Sequence, residues 1–322
     1  MYSYLKDDSV FPASAGKIKQ RSLFAGKEDE MCIEGEMIMK DYQRRVPEEY
    51  YEEVTGGGRL EEVTYDSVIY CGDKSPVKKR ALVYLPAGYD DMSVGSYKVL
   101  YLMHGGGGSE EEFIYGQDRS LSLLHIIDHL IASGELEPLI IVTPSFYYSA
   151  EQSTTHDIQE AGILTKFYHN EFRNELVPLI DSKYRTIPDR EHRAFGGFSM
   201  GGETTWEVML NCLDLVKNYM PLSGDCWIAG EKGGAIFAEK TSQLMREYIA
   251  DKGFSDLSYN IFAFTGDQDI AFPALDAQIK AMNADGWNSD ADHSVRYGTW
   301  AEGTHCYQYI YQYIYNILPD VF

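Results

Sequence analysis

The chain is expected to fold as an α/β domain, a mostly parallel central sheet with helices on both faces. Short apolar runs alternate along it with longer stretches of helical periodicity, the order that βαβ units produce. The runs at 98–103 and 139–143 are apolar almost throughout, as strands covered on both faces are. A length of 322 residues with 44% hydrophobic content is enough for one large core plus an extension.

Residues 1–58 are polar and weakly periodic and close on Gly56-Gly57-Gly58, so they read as an amino-terminal extension preceding a main domain over 59–322. Residues 63–70 and 78–85 read as paired antiparallel strands. Amphipathic helices are expected over 120–132 and 163–184; in the second, Phe167, Phe172, Leu176, Leu179 and Ile180 recur at helical spacing and are assigned to the core. Further strands are expected at 192–195, 259–265 and 293–300, with helices at 203–210 and 307–318. No internal repeat or low-complexity tract stands out.

A formal net charge of −22 argues against nucleic acid and against anionic lipid surfaces, and favours neutral substrates and solubility. No apolar run approaches the roughly 20 residues needed to span a bilayer. The start of the chain lacks a basic region followed by an apolar core, so it is expected to be cytoplasmic, or secreted with a signal already removed. Five cysteines, Cys32, Cys71, Cys212, Cys226 and Cys306, form no Cys-x-x-Cys pair; they are read as reduced, mainly buried thiols, with no metal site expected. A homo-oligomer stays open.

The most informative stretch is Gly197-Phe198-Ser199-Met200-Gly201, set between a strand pattern and a helix pattern. A nucleophilic serine on an α/β-hydrolase fold sits at such a strand-to-helix bend, where close backbone contacts leave no room for Cβ atoms on either side. His104-Gly105-Gly106-Gly107-Gly108 follows an apolar strand and suits an oxyanion hole. Its donors would be the N–H groups of Gly106 and of Met200, next to the nucleophile. The base must come downstream in the order serine, acid, histidine. His305 occupies a loop between the strand at 293–300 and the helix at 307–318, whereas His293 lies within the strand pattern and reads as a surface histidine. The acid is expected after the strand at 259–265, in Gly266-Asp267-Gln268-Asp269, and spacing leaves Asp267 and Asp269 open. A Ser-His-Asp site of this kind requires no cofactor.

Several ordered motifs resemble the feruloyl esterase modules of carbohydrate esterase family 1, within a broader esterase group that includes formylglutathione hydrolases and mycolyltransferases. They are Arg80-Ala81-Leu82-Val83-Tyr84-Leu85-Pro86-Ala87-Gly88-Tyr89, the His104 glycine loop with Ser109, Pro138-Leu139-Ile140-Ile141-Val142-Thr143-Pro144, Asp189-Arg190-Glu191-His192-Arg193-Ala194, and Gly197 to Gly202. The likeness covers about residues 60–322. It implies an α/β-hydrolase that cleaves hydroxycinnamoyl esters of plant cell-wall arabinoxylan, with a feruloylated oligosaccharide or small phenolic ester as substrate. It places the nucleophile on Ser199, the histidine on His305 and, through the family's Gly-x-x-Asp pattern, the acid on Asp269.

The resemblance also marks Pro221-Leu222-Ser223-Gly224-Asp225-Cys226-Trp227 as a loop beside the site. Asp225 and Trp227 are candidates there for binding substrate, Trp227 by stacking on an aromatic acyl group. Phe146, Tyr147 and Tyr148 follow a strand at the ligand-binding end of the sheet and are expected to line the same cleft, with Tyr147 chosen as its substrate contact. Many relatives carry an aspartate after the histidine and a tryptophan a few residues later, where this chain has Cys306 and Ile310, so its acyl pocket is expected to differ in shape. The alternatives are an esterase for acetyl-xylan or another small phenolic or acyl ester, and a non-catalytic carbohydrate-binding protein on the same fold.

Overall fold

The computed structural model describes residues 42–93, 95–116, 122–154, 157–288 and 292–322. Eight strands make one sheet: β1 (Arg59–Val68), β2 (Pro76–Leu85), β3 (Lys98–Met103), β4 (Leu139–Thr143), β5 (Arg193–Phe198), β6 (Asn218–Leu222), β7 (Tyr259–Gly266) and β8 (His293–Trp300). Their order is β1-β2-β4-β3-β5-β6-β7-β8. β2 runs antiparallel to β1 and β4, and every later neighbour pair is parallel. The sheet is therefore mixed but mostly parallel, as an α/β-hydrolase requires.

The helices are α1 (Glu112–Tyr115), α2 (Leu123–Ser133), α3 (Ala150–Thr154), α4 (Ile158–Glu171), α5 (Val177–Lys183), α6 (Met200–Cys212), α7 (Gly233–Ile236), α8 (Ala238–Asp251), α9 (Phe272–Ala284) and α10 (Tyr307–Ile317). Each central strand feeds both faces, because successive side chains point to opposite sides. In β3, Val99, Tyr101 and Met103 join the core formed with α4, α6, α8 and α9. Leu100 and Leu102 of the same strand join the opposite core, under α2 and α10. Edge strand β1 buries only alternate residues, Val63, Tyr65 and Ser67.

Residues 1–41 of the expected extension, with Cys32, lie outside the described residues. Residues 42–46 run along α10, where Asn316 exchanges side-chain hydrogen bonds with both backbone groups of Arg44 and Gln312 accepts from the Val46 N–H. Tyr42 and Val46 are buried there.

Three expectations need correction. The helix expected over 163–184 begins at Ile158 and is interrupted by a π-helical turn, Phe172–Leu176. Pro178 follows that turn; it has no N–H, and its ring would clash with the carbonyl four residues back in a regular helix. Phe172, Leu176 and Ile180 are buried, but Phe167 is exposed and Leu179 only half-buried. Pro221 and Leu222, expected in a loop, complete the buried strand β6. Proline donates no ladder hydrogen bond, and the β6–β7 register accordingly pairs Tyr219 and Leu222 but not the two residues between them. Among the four described cysteines, Cys212 and Cys226 are buried and Cys71 and Cys306 half-exposed; all four are free thiols. No described helix is long and apolar enough to cross a membrane.

Candidate active site

Ser199 stands between β5 and α6 with φ 57° and ψ −116°, a conformation that side chains other than glycine rarely adopt. The bend is held by Ser199 N–H donating to the Leu222 carbonyl at 2.9 Å and Glu203 N–H donating to the Ser199 carbonyl at 3.0 Å. The flanking glycines are there because backbone lies against them. A Cβ on Gly197 would sit 2.4 Å from the Gly201 carbonyl oxygen, and one on Gly201 would sit 2.0 Å from that of Met103.

The loops after β7 and β8 meet beside this bend. Gly266 and Gly303 touch so closely that a Cβ on the first would come within 2.1 Å of the carbonyl oxygen of the second. Gln268 N–H donates to the Gly303 carbonyl at 3.0 Å, and Glu302 N–H to Asp267 Oδ1 at 2.8 Å. Asp267 is thus exposed and tied to the neighbouring loop, while Asp269 is turned inward with a fully buried carboxyl. His305 Nδ1 lies 2.6 Å from Asp269 Oδ1, and His305 Nε2 lies 2.9 Å from Ser199 Oγ. Ala271 N–H donates to the same Asp269 oxygen at 2.8 Å. The imidazole leans on Phe198, with ring centroids 4.5 Å apart. His293 sits at the opposite end of β8 from this loop and packs on Tyr259.

The glycine loop passes alongside Ser199. Gly105 N–H donates to Tyr307 Oη at 3.3 Å, Gly107 N–H to Tyr147 Oη at 2.9 Å and Gly108 N–H to the Gly105 carbonyl at 3.1 Å. None of these bonds uses the Gly106 N–H, and Gly106 and Met200 both border the space beside Ser199. His104 anchors the loop: its Nδ1 is 2.7 Å from the Gly105 carbonyl and its Nε2 is 2.8 Å from Ser145 Oγ. A carbonyl only accepts, so the proton is on Nδ1, and Nε2 accepts from the Ser145 hydroxyl.

Complete burial lowers the His104 pKa to about 4 from the ordinary 6.5, so the ring is neutral at pH 7. The unfolded chain takes up that proton below about pH 6.5 and the folded protein only below about 4. Stability is therefore expected to fall as pH drops through this window, with a slope from His104 approaching about 1.4 kcal/mol per pH unit. Burial of His169, likewise lowered to about 4, adds to the decline. Urea midpoints between pH 7 and pH 4.5 should decline less in a His104→Gln variant than in the wild type. Equal declines would refute this account of His104.

Ser199, His305, Gly106 and Met200 open on one cavity of about 500 Å³. Tyr147, Asp225 and Trp227 also border it. Trp227 lies against Gly162 of α4, where a Cβ would come within 2.9 Å of the indole. Its Nε1 donates to Asp225 Oδ1 at 3.2 Å, and the Gly234 N–H donates to Asp225 Oδ2 at 2.9 Å. Asp225 thus holds the indole in place. Its own pKa is raised, chiefly by burial. Of the expected aromatic trio only Tyr147 borders the cavity: Phe146 is buried against His104, and Tyr148 faces the Lys79 ammonium. Cys306 and Ile310 do not border it either, Ile310 being buried among the core side chains under α10.

Two features of the site escape sequence reading. Lys79 of β2 is buried and donates to the Ser145 and Tyr147 carbonyls at 2.8 and 2.7 Å, and it pairs with buried Glu171 at 3.2 Å. That ion pair pins the loop carrying Tyr147, yet nothing in Val77-Lys78-Lys79-Arg80 separates it from its exposed neighbour. Glu203 of α6, one turn beyond Ser199, is buried at the cavity wall. Among the described residues no cluster of three His, Cys, Asp or Glu side chains is placed to hold a metal ion.

Residues 76–244 match the family model for esterases, described as "Putative esterase". The chain therefore belongs to this esterase family, on an α/β-hydrolase fold. It is 38% identical over 293 residues to endo-1,4-beta-xylanase Y of Acetivibrio thermocellus, an alignment covering 87% of this chain and 24% of that protein. It is 32% identical over 181 residues to the endo-1,4-beta-xylanase/feruloyl esterase of Xylanibacter ruminicola, covering 54% and 23%. The chain spans about a quarter of the length of these curated relatives. A mutant of the feruloyl esterase module from Clostridium thermocellum, complexed with sinapinate, is similar in structure with a TM-score of 0.71 at 35% identity, covering 87% of this chain and 94% of that one. The fold is shared by a CE1 ferulic acid esterase from Anaeromyces mucronatus, with a TM-score of 0.65 at 19% identity over 85% of this chain and 95% of that one.

Proposed function

We propose that this chain is a serine carboxylic ester hydrolase acting on hydroxycinnamoyl esters of plant cell-wall polysaccharide, such as feruloylated arabinoxylan. The observation that carries the reading is the single imidazole of His305 within hydrogen-bonding distance of both Ser199 Oγ, at 2.9 Å, and buried Asp269, at 2.6 Å. The feruloyl esterase names of the relatives supply the substrate class.

In this mechanism His305 Nε2 takes the Ser199 proton as the hydroxyl attacks the ester carbonyl carbon. Asp269 holds the Nδ1 proton and stabilises the imidazolium, a strong effect because its carboxyl is shut off from water. The Gly106 and Met200 N–H groups receive the oxyanion, a contribution of about 3 kcal/mol for each such donor. His305 then protonates the sugar oxygen as its bond to the acyl carbon breaks, releasing the alcohol. Water, deprotonated by the same imidazole, attacks the acyl-enzyme and releases the free acid and Ser199. The indole of Trp227, braced by Asp225, and the ring of Tyr147 flank the acyl group.

Hydrolysis of methyl ferulate and methyl acetate by the purified protein tests the reading. Ferulate release at a kcat/KM well above that for methyl acetate is expected. Turnover of acetate esters alone would remove the hydroxycinnamoyl claim and leave a small-acyl esterase.

A further inference from the structure

Glu203 is only 2% exposed, although it borders the cavity. Its carboxyl is hydrogen-bonded by Thr165, but its Oε2 is buried and has no hydrogen-bond partner among the described residues. Natural interiors satisfy their polar atoms, and burying one alone disfavours the fold, so an orphan oxygen beside a ligand cavity asks for a ligand atom. The groups facing it are Thr165 and Lys166 from α4, Glu207 one turn along α6, and Asp225 from the loop after β6. Burial, reinforced by the Glu207 and Asp225 carboxyls, raises the Glu203 pKa well above the carboxylate range. That shift favours the protonated form of Glu203, in which the carboxyl has one O–H to donate and one oxygen to accept.

We propose that Glu203 is a specificity-determining residue of this cleft, hydrogen-bonding an oxygen substituent on the aromatic ring of the acyl group carried by Ser199. The inference rests on the esterase reading above and deepens it. α6 places Glu203 about 6 Å of helix rise beyond the nucleophile, and Trp227 and Ala161 border the same cavity. Much of the cavity lining is apolar, including Met200, Ala161, Pro273 and Ala274. It suits a flat ring and leaves the hydroxyls of a sugar unpaired. A ring hydroxyl or methoxyl gives the Glu203 O–H a partner, and an unsubstituted ring does not.

The test compares kcat/KM for methyl ferulate with that for methyl cinnamate, which has no ring oxygen, in the wild type, Glu203→Gln and Glu203→Leu. The ferulate-to-cinnamate ratio should fall about tenfold in Glu203→Leu, the effect of one hydrogen bond lost in an enclosed site. Glu203→Gln, which keeps a donor and an acceptor, should retain most of the preference. An unchanged ratio in Glu203→Leu, with both esters still turned over, overturns the role of Glu203 and leaves the esterase reading standing. A wild type that hydrolyses neither ester overturns the esterase reading itself. Glu203→Met provides the same comparison if the leucine variant does not fold.

Discussion

A Ser199→Ala variant is expected to lose about four to six orders of magnitude in kcat toward any ester the wild type hydrolyses, with the fold intact. The size of the loss follows from the arrangement: without Oγ there is no serine hydroxyl for the His305 imidazole, oriented by Asp269, to deprotonate, and only the glycine loop and the cavity remain to assist water. The same residue carries a second, separable prediction. At φ 57° a side chain is strained, and glycine is not. Ser199→Gly should therefore be as inactive as Ser199→Ala but more stable than it by about 1 kcal/mol, read from urea unfolding. Residual turnover within tenfold of the wild type in either variant would remove Ser199 from the chemistry.

Gly201→Ala should be among the most damaging single substitutions in the chain. Its methyl group would lie 2.0 Å from the Met103 carbonyl oxygen and 2.7 Å from that of His104, and both are backbone atoms that no rotamer change can move. The substitution must push β3 and the glycine loop away from the nucleophile bend. A loss of about 3 kcal/mol or more is expected, with activity falling even where the protein still folds, because the Gly106 donor moves with that loop. Gly95→Ala is the control: a Cβ there meets nothing within 4 Å, and the change in unfolding free energy should stay within about 0.5 kcal/mol. Similar effects at the two positions would show that this close approach does not hold the bend.

What could be read before folding was whatever depends on neighbours in the chain. β3 and β4 begin and end where the apolar runs placed them, because a strand covered on two faces leaves a continuous local signature, and edge strand β8 does so through its alternation. β6 was obscured by Pro221, which reads locally as a turn and is tolerated only through a gap in the pairing with β7. α6 offers no stripe to read: its residues are buried all round, wedged between the sheet and neighbouring helices. Periodicity therefore says nothing about where Glu203 or Glu207 faces, and Lys79 is hidden among the consecutive basic residues Lys78, Lys79 and Arg80.

The sequence by itself determined the class of fold, the bend bearing Ser199, the glycine loop and the order in which serine, acid and histidine occur, since each is written in contiguous residues whose backbone needs are local. The approach of Asp269 to His305, which local spacing leaves open and only the family pattern favours, the buried Lys79–Glu171 pair and the unpartnered Oε2 of Glu203 belong to the tertiary structure. Each depends on which segments, distant along the chain, come into contact. A carboxylate or an ammonium is then exposed or buried, paired or alone, according to neighbours that its own stretch of sequence does not contain.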